Sequence, residues 1–484
     1  MVQKSDLTRV SEYIWEVPRS FRPDMRVPAR IFASEKLLDM AFGDQTMEQL
    51  VNTAAMPGVV KWVLVMPDAH QGYGPPIGGV VPTRYPSGVI SPGAVGYDIN
   101  CGVRLMGSEI VARDVKREID GLISALFRNI PSGVGKAGGA RSVSGREMDE
   151  VLEKGAAWAV KAGYGQPEDL ERLEERGSMA GSDPSMVSPR AKQRGGPQLG
   201  TLGSGNHFVE IQEVEEVFDQ EVARVFRLFE GQLALSIHSG SRGLGHQVCD
   251  DYVRDLQSAV LKYNIHLPDR QLVCAPLDSP EGQRYFGAMA GAANYAWANR
   301  QCMAHLARRS FEEVLAGKVR SFDLFTVYDV AHNIAKIEEH EVDGQKIKLC
   351  IHRKGATRAF GPGHPALPPV YRSVGQPVLV PGDMGTASYV LVGTTEAMEK
   401  SFGTTCHGAG RTMSRAAAKR KIQGGMLRRE LEAQGIHVRA GSLSGLAEEA
   451  PEAYKDIDAV VAVVVGAGLA HKVARLRPLA VMKG

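Results

Sequence analysis

Five histidines, His70, His207, His238, His332 and His407, each stand at the end of a strand-like run or in a turn rich in Gly, Ser and Asn. Their settings read PDAHQGYG, GSGNHFVE, SIHSGSRGLGH, YDVAHNIA and TTCHGAGR. Any one of them alone reads as a surface or hydrogen-bonded loop histidine. Five in the same kind of setting, spread from residue 70 to residue 407, share chemistry only if the fold gathers distant strand ends into one place. Glycine supplies 54 of the 484 residues, above the roughly 7% of average usage, so many backbone positions need unusual dihedrals or close approach. Both features point to a site built from loops.

The elements that would carry such loops are mixed. Residues 35–56 space their apolar positions as an amphipathic helix does, with Pro57-Gly58 as its stop. VVKWVLVM reads as a strand followed by a turn-rich loop, and residues 88–107 read as two short strands around a second glycine-bounded loop. Charged helical patterns fill about 112–130 and 146–177, and residues 178–207 have the composition of a linker or long surface loop. Strands are expected at FVEIQEVEEVF and QLALSIHS, and helices over 246–262 and 280–315. Residues 323–353 read as strand, loop and a hairpin with Asp343-Gly344 at its turn, and further strand-like pieces run through QPVLVPGDMGTASYVLVG. A basic helix is expected over 411–434, then helix, short strand and helix over 446–477. Strands and helices do not alternate regularly, so the expected class is α+β with mixed sheets rather than a doubly wound sheet. Chemistry-bearing residues lie on both sides of 178–207, so the chain is expected to form a single catalytic domain over 1–484.

With 57 Lys and Arg against 55 Asp and Glu, no global field announces a polyanion, and any such site must be a local basic cluster. Three stretches concentrate positive charge: 189–194, 353–358 and 411–429. Six cysteines, at 101, 249, 274, 302, 350 and 406, lie scattered without Cys-x-x-Cys pairs, as reduced thiols do. The N-terminal twenty residues are charged and lack the apolar core of a signal peptide, and the longest apolar run, Ala459 to Ala470, is too short to span a bilayer. The expectation is a soluble cytoplasmic protein.

Asp98 and Cys101 in GYDINCG set a hard oxygen and a soft sulfur three positions apart on a flexible loop. With imidazoles they form a donor set for one or two divalent ions, and a thiolate bridges two metals. These residue types suit Zn, Mn, Co or Fe without choosing among them. Their dispersal favours a catalytic site assembled by the fold over a closed structural one. HSGSRGLGH and CHGAGR resemble anion-binding nests, with Arg242 and Arg411 as bidentate phosphate partners. No Walker A sequence is present, and Gly200-x-x-Gly203 lacks the strand and helix that frame a dinucleotide fingerprint.

Taken together, GYDINCGVR, GNHFVEI, HSGSRGLGHQV, YDVAHNIAK, HRKGATRAF, FGTTCHGAGR and the terminal VMKG resemble the RtcB family of tRNA-splicing and RNA-repair ligases, in the family's order and from about residue 20 to Gly484. The resemblance implies joining of RNA 3′-phosphate or 2′,3′-cyclic phosphate ends to 5′-hydroxyl ends with GTP and two Mn²⁺ ions. It implies a guanylylated histidine and an RNA(3′)pp(5′)G intermediate. Carried onto this sequence, His407 is the nucleophile, and Asp98, Cys101, His207, His238 and His332 hold the metals, with Cys101 bridging. Nucleotide contacts fall on Asn206, His207, Phe208, Val209 and Glu210, on His332 and Asn333, on Pro381, Gly382, Asp383, Met384 and Ser388, on His407, Gly408, Ala409 and Gly410, and on Tyr454 and Lys483. Glu210 is expected to accept from guanine N–H groups and Lys483 to reach guanine O6. Asp68 is a candidate proton-handling carboxylate, and Arg242, Arg411, Arg194 and Lys354 are candidates for RNA phosphates. The implied partners are RNA, as tRNA halves or broken ends, and archease as an activator.

Asp383 departs from the small Ser or Thr expected there, because a carboxylate beside a triphosphate repels it unless turned away or paired with a cation. A competing reading is a metal-dependent cyclic phosphodiesterase or phosphatase acting on RNA ends without nucleotide, which needs neither His407 nor Lys483. A non-catalytic RNA-binding component would show basic patches without the aspartate, cysteine and histidine set.

Overall fold

Alternating Val, Ile and Leu build the larger of two principal sheets. In the computed structural model, which describes residues 2–484, its strands run in the order Leu324–Ala331, Gly102–Val111, Gln232–Ser239, Phe208–Val217, Ala470–Lys483, Ser388–Gly393 and Pro377–Val380. Neighbours are antiparallel, and His437–Ala440 adds in parallel beside the end of Ala470–Lys483. Antiparallel pairing brings the end of one strand beside the start of the next. Ala331 pairs with Gly102, Gly102 with Ser239, His238 with Phe208, and Phe208 with Lys483. That one edge therefore collects His332, Cys101, His238, His207 and Lys483 from five separate strands.

The second sheet has seven strands, in the order Thr8–Arg9, Ile14–Val17, Ala29–Phe32, Val63–His70, Ile77–Arg84, Gln345–Lys354 and Asn333–Val342. Its last two strands form the expected hairpin: Val342 pairs with Gln345 across Asp343-Gly344, whose φ values of +51° and +76° suit a tight two-residue turn. Leu324–Ala331 belongs to the larger sheet and Asn333–Val342 to the smaller, so His332 alone separates these two strands of different sheets. Its N–H donates to the Cys101 carbonyl at 2.9 Å, and its carbonyl accepts from the Ala356 N–H at 3.1 Å. A two-stranded ribbon, Ala356–Arg358 with Thr404–Cys406, follows and delivers His407 to the same place. The outcome is the expected α+β body with mixed sheets.

Several boundaries differ from the sequence reading. The 35–56 helix is two, Glu35–Ala41 and Thr46–Thr53, because Asp44 turns back to accept from the Thr46 N–H and starts the second. The 411–434 helix likewise divides into Arg415–Lys421 and Gly424–Ala433. The 178–207 stretch contains the helix Pro189–Gly195 and buries Val187, Ala191, Leu199 and Leu202, so it is packed chain rather than a loose linker. Over 446–477 the helices are Leu443–Glu448 and Ile457–Gly466, and the expected final helix is instead the strand Ala470–Lys483. Among the described residues no helix is long and apolar enough to cross a membrane.

Pro280–Leu315 is a 36-residue helix, about 54 Å long at 1.5 Å per residue. It is buried on most of its circumference because its first part lies in one apolar cluster (Ala288 to Cys302) and its last part in another (Met303 to Leu315). Arg300 lies where the two meet and is fully buried. Its guanidinium binds Asp329 through Nε and Nη2 at 2.9 and 2.7 Å, and donates from Nη1 to the carbonyls of Asn100 and Ser239 at 2.8 and 2.9 Å. Arg104, also buried, gives Asp329 a second cation at 2.8 Å. Asn100 precedes Cys101 and Ser239 follows His238, so one side chain sets the spacing of two strand ends. Arg300→Leu leaves Asp329 with Arg104 as its one remaining cation and strands two carbonyls, and is expected to lower unfolding free energy by about 3–5 kcal/mol, read from urea denaturation. Arg300→Lys, which cannot reproduce the fork, should recover less than half of that loss.

Candidate active site and metal centre

Cys101 lies at the centre of two donor groups. Its Sγ is 3.3 Å from His207 Nε2 and 3.3 Å from His238 Nε2, His238 Nε2 is 3.3 Å from His332 Nε2, and His207 Nε2 is 2.8 Å from Asp98 Oδ2. The groups Asp98, Cys101, His207 and Cys101, His238, His332 each converge within 4.8 Å and share the sulfur. His207 Nδ1 faces the Leu202 carbonyl at 3.0 Å, so this nitrogen carries the proton and Nε2 presents its lone pair. Burial, above all other causes, holds His238 and His332 well below the ordinary imidazole value, so both are neutral ligands. Burial and then Asp98 push the Cys101 thiol well above its usual range, and a bound cation is what would remove its proton. Lone pairs of one sulfur and three imidazoles converging on one space, their rings tilted or edge-on to one another, with a carboxylate alongside, fit a pair of divalent cations bridged by the thiolate. Asp98 is itself placed by Ser241, whose N–H donates to Oδ1 at 3.0 Å. A Cβ on Gly240 would stand 2.4 Å from that carboxylate, so only glycine admits it.

His407 approaches the same cluster from the two-stranded ribbon, backed by Asp68 on the smaller sheet. Its Nδ1 is 2.6 Å from Asp68 Oδ2, which also accepts from the His407 N–H at 3.0 Å. Asp68 is fully buried on the strand Val63–His70, and its Oδ1 has no protein partner. The carboxylate fixes the Nδ1–H tautomer and leaves Nε2 as a free nucleophile. The imidazole centroid is 4.8 Å from that of His332, so Nε2 belongs to the metal cavity. Gly410 makes the approach possible: its φ is +73°, and a Cβ there would lie 2.1 Å from the Asp68 carbonyl.

A cavity of about 930 Å³ joins the metal donors and His407 to a second wall. Phe208, Glu210, Lys483 and Tyr454 line it together with Pro381, Gly382, Asp383 and Met384. Phe208 and Glu210 point inward on one strand face, and Val209, fully buried in the core behind, points the other way as strand alternation requires. Ser388 also stands behind the wall, accepting from Gln212 Nε2 at 3.1 Å. Gln212 donates to Glu210 Oε1 at 2.7 Å, and burial raises the Glu210 carboxyl to about 8. Lys483 donates to the Gly205 carbonyl at 3.2 Å and stands 5.6 Å from the Phe208 ring centroid. Asn206 and Asn333 are also in the cavity wall, and Asn333 Nδ2 donates to the Asp98 carbonyl at 3.0 Å. Asp383 is turned into its own loop, accepting from the Gly385 N–H at 2.8 Å and the Thr386 hydroxyl at 2.9 Å, which relieves the expected clash with an anion.

The four basic side chains fare differently. Arg194 is exposed, with one bond to Gln247 Oε1 at 3.0 Å. Arg242 is buried, donating to Thr201 Oγ1 and the Gly133 carbonyl. Arg411 is committed to Glu449, Tyr454 and the carbonyls of Met413 and Glu448. Lys354 is buried with its Nζ on the carbonyls of Tyr73 and Pro75. Sequence reasoning missed Arg300, Gln212 and Glu449. The single Lys, Arg, Asp or Glu between Ala288 and Ala307, in a stretch otherwise rich in Ala and aromatic residues, was the available signal for the first, and Gln212 and Glu449 had none.

The chain matches the family model described as "tRNA-splicing ligase RtcB" over residues 49–484. Proteins named tRNA-splicing ligase RtcB from Archaeoglobus fulgidus and Thermococcus kodakarensis are 57% and 55% identical to it over 478 residues, covering 99% of each chain. The one from Methanococcus maripaludis is 50% identical over 481 residues. The cavity at the junction of two sheets, with a candidate metal-binding cluster at its base, and the curated relatives together define an RNA-ligase enzyme. The chain belongs to the RtcB family.

Loss of the shared sulfur should cost both cation sites, whereas loss of an outer ligand should cost one. Equilibrium dialysis against a divalent cation is expected to show Cys101→Ala weakening binding at two sites by at least about 10-fold, and Asp98→Ala at one.

Proposed function

We propose that this RtcB-family RNA ligase joins RNA ends bearing a 3′-phosphate or 2′,3′-cyclic phosphate to 5′-hydroxyl ends, consuming GTP and using two Mn²⁺ ions. The observation that carries the reading is the Asp68–His407 pair, which aims a free Nε2 into a cavity shared by the metal donors and a polar, aromatic nucleotide wall. Asp98, Cys101 and His207 would hold one ion, and Cys101, His238 and His332 the other. When bound, the ions polarise phosphate oxygens and offset the charge that develops on them.

His407 Nε2 attacks the α-phosphorus of GTP, forming an N–P bond as pyrophosphate leaves. Asp68 stabilises the imidazolium that results by holding the Nδ1 proton. An oxygen of the RNA 3′-phosphate then displaces the imidazole, giving RNA(3′)pp(5′)G, and the 5′-hydroxyl attacks the 3′-phosphate phosphorus to expel GMP. A cyclic phosphate end needs prior opening by water. Glu210 accepts from guanine N–H groups, Lys483 donates to O6, Phe208 and Tyr454 flank the base, and backbone groups of 381–384 and 408–410 line the phosphates. Arg194 is the side chain offered to RNA phosphates, while Arg242 is buried and held by Thr201 and the Gly133 carbonyl. Arg411 and Lys354 serve the walls instead, because internal acceptors already take their protons. The metallohydrolase reading leaves the His407 pair and the Glu210–Lys483 wall without use. The physiological RNA as tRNA halves or broken ends, archease as an activator and a cytoplasmic place belong to the same proposal and rest on family membership.

With α-³²P-GTP and Mn²⁺, adding archease if nothing reacts, acid-labile and base-stable label should appear on the chain and vanish in His407→Ala. Label that persists in that variant, or none in the metal-loaded wild type, overturns the reading. Asp68→Asn should slow labelling by about 10²–10⁴-fold at unchanged metal content.

Glu210 sets a pH dependence. A carboxyl raised to about 8 is protonated below that pH and a full acceptor only above it. The KM for GTP should therefore fall as pH rises from about 7 to 9, by up to about tenfold per unit below 8, and Glu210→Gln should flatten the profile.

A further inference from the structure

The metal cavity carries aromatic side chains that neither the metals nor the guanine wall uses. Tyr73, Tyr97 and His246 line it from three other segments: the loop after Val63–His70, the loop before Gly102–Val111 and the first turns of the helix Arg242–Lys262. Tyr73 and Tyr97 meet edge to face, with centroids 5.7 Å apart at 75°, and Tyr97 and His246 follow at 6.1 Å and 35°. The tyrosines are half-buried and His246 is exposed. Among the described residues neither tyrosine belongs to any apolar cluster of the core, so core packing does not account for three rings together at a polar cavity.

We propose that Tyr73, Tyr97 and His246 form a stacking surface for a nucleobase at one of the two RNA ends, next to the reacting phosphate. This rests on the RNA-ligase reading and adds to it a site for the base. Tyr97 directly precedes Asp98, and both line the same cavity, so a base on its ring shares that space with the candidate metal cluster. The loop that offers Tyr73 is held rigid by three long side chains. Gln49 bonds both the N–H and the carbonyl of Gly72, Lys354 binds the carbonyls of Tyr73 and Pro75, and Gln271 accepts from the Gly74 N–H at 2.8 Å. A ring presented on a fixed loop loses little freedom when a base covers it. Beside His246, the exposed Arg194 guanidinium on Gln247 supplies positive charge for the adjoining backbone phosphate. Stacking on π-faces is tolerant of sequence, as joining ends of varied identity requires.

The test uses the full chain with Mn²⁺, GTP and two oligoribonucleotides, one ending in a 3′-phosphate and one beginning with a 5′-hydroxyl. Labelling of His407 by α-³²P-GTP reports whether the metal and nucleotide sites remain assembled. In the double variant Tyr73→Ala, Tyr97→Ala, the KM for one strand is expected to rise about 5- to 100-fold while labelling persists. The double Phe variant should restore it, because the ring and not the hydroxyl carries the contact. Removing the terminal base of that strand should penalise the wild type by a similar factor and add nothing to the Ala variant, and the strand affected identifies the end. An unchanged KM for both strands, additive penalties from the abasic strand, or loss of labelling in the Ala variant would overturn the stacking surface. A wild type that takes no label and joins no ends would instead sink the ligase reading beneath it.

Discussion

The fork of Arg300 on Asp329 is the constraint from which the site follows. A buried arginine is costly unless every N–H finds an acceptor, and here the acceptors are a carboxylate and the backbone beside two metal donors. Asp329 sits three residues before His332, Asn100 one before Cys101, and Ser239 one after His238. A single planar group thus sets the relative position of three strand ends, and the Cys101 thiol and two imidazoles on them are placed by the fold itself. Asn100 accepts a φ of +51° to fit this arrangement, a backbone cost that the surrounding bonds sustain.

The two halves of the chemistry come from different sheets. The larger contributes the Asp98, Cys101, His207, His238 and His332 cluster and the cavity-wall residues Glu210 and Lys483, while the smaller contributes Asp68, which orients a histidine delivered by the 404–406 ribbon. Separation of this kind keeps the nucleophile's proton partner away from the cations, so Asp68 stays a carboxylate for His407 rather than a ligand. Its unpartnered Oδ1 is consistent with a group held for one bond only.

Much of the site was readable from the chain because its signals are local. Asp98, Cys101, His207, His238, His332 and His407 each stand where an apolar strand gives way to Gly, Ser or Asn, and the structure brings all six together. What was not readable depends on pairing across the fold. Val209 lies among contact residues in the sequence, yet strand alternation turns it into the core, and only the register with its neighbours decides which face is which. The run of β-branched residues in 457–466 becomes a helix because packing outweighs propensity, whereas 470–483 becomes a strand by adding between two existing ones. The break in the 35–56 helix turned on one capping aspartate inside an otherwise periodic pattern.

His332 belongs to the candidate metal cluster and is also the seam between sheets, bonded through its N–H to the Cys101 carbonyl and through its carbonyl to Ala356 of the ribbon that precedes His407. A seam of this kind is no hinge: opening there would break both bonds and pull a ligand off the metal in the same movement. Accommodation of strands of different length and shape must therefore come from elsewhere in the cavity wall, and the irregular 381–387 loop and the short helices after His407 are the parts free to yield. The enzyme is built to keep its reaction centre fixed and to let its entrance bend.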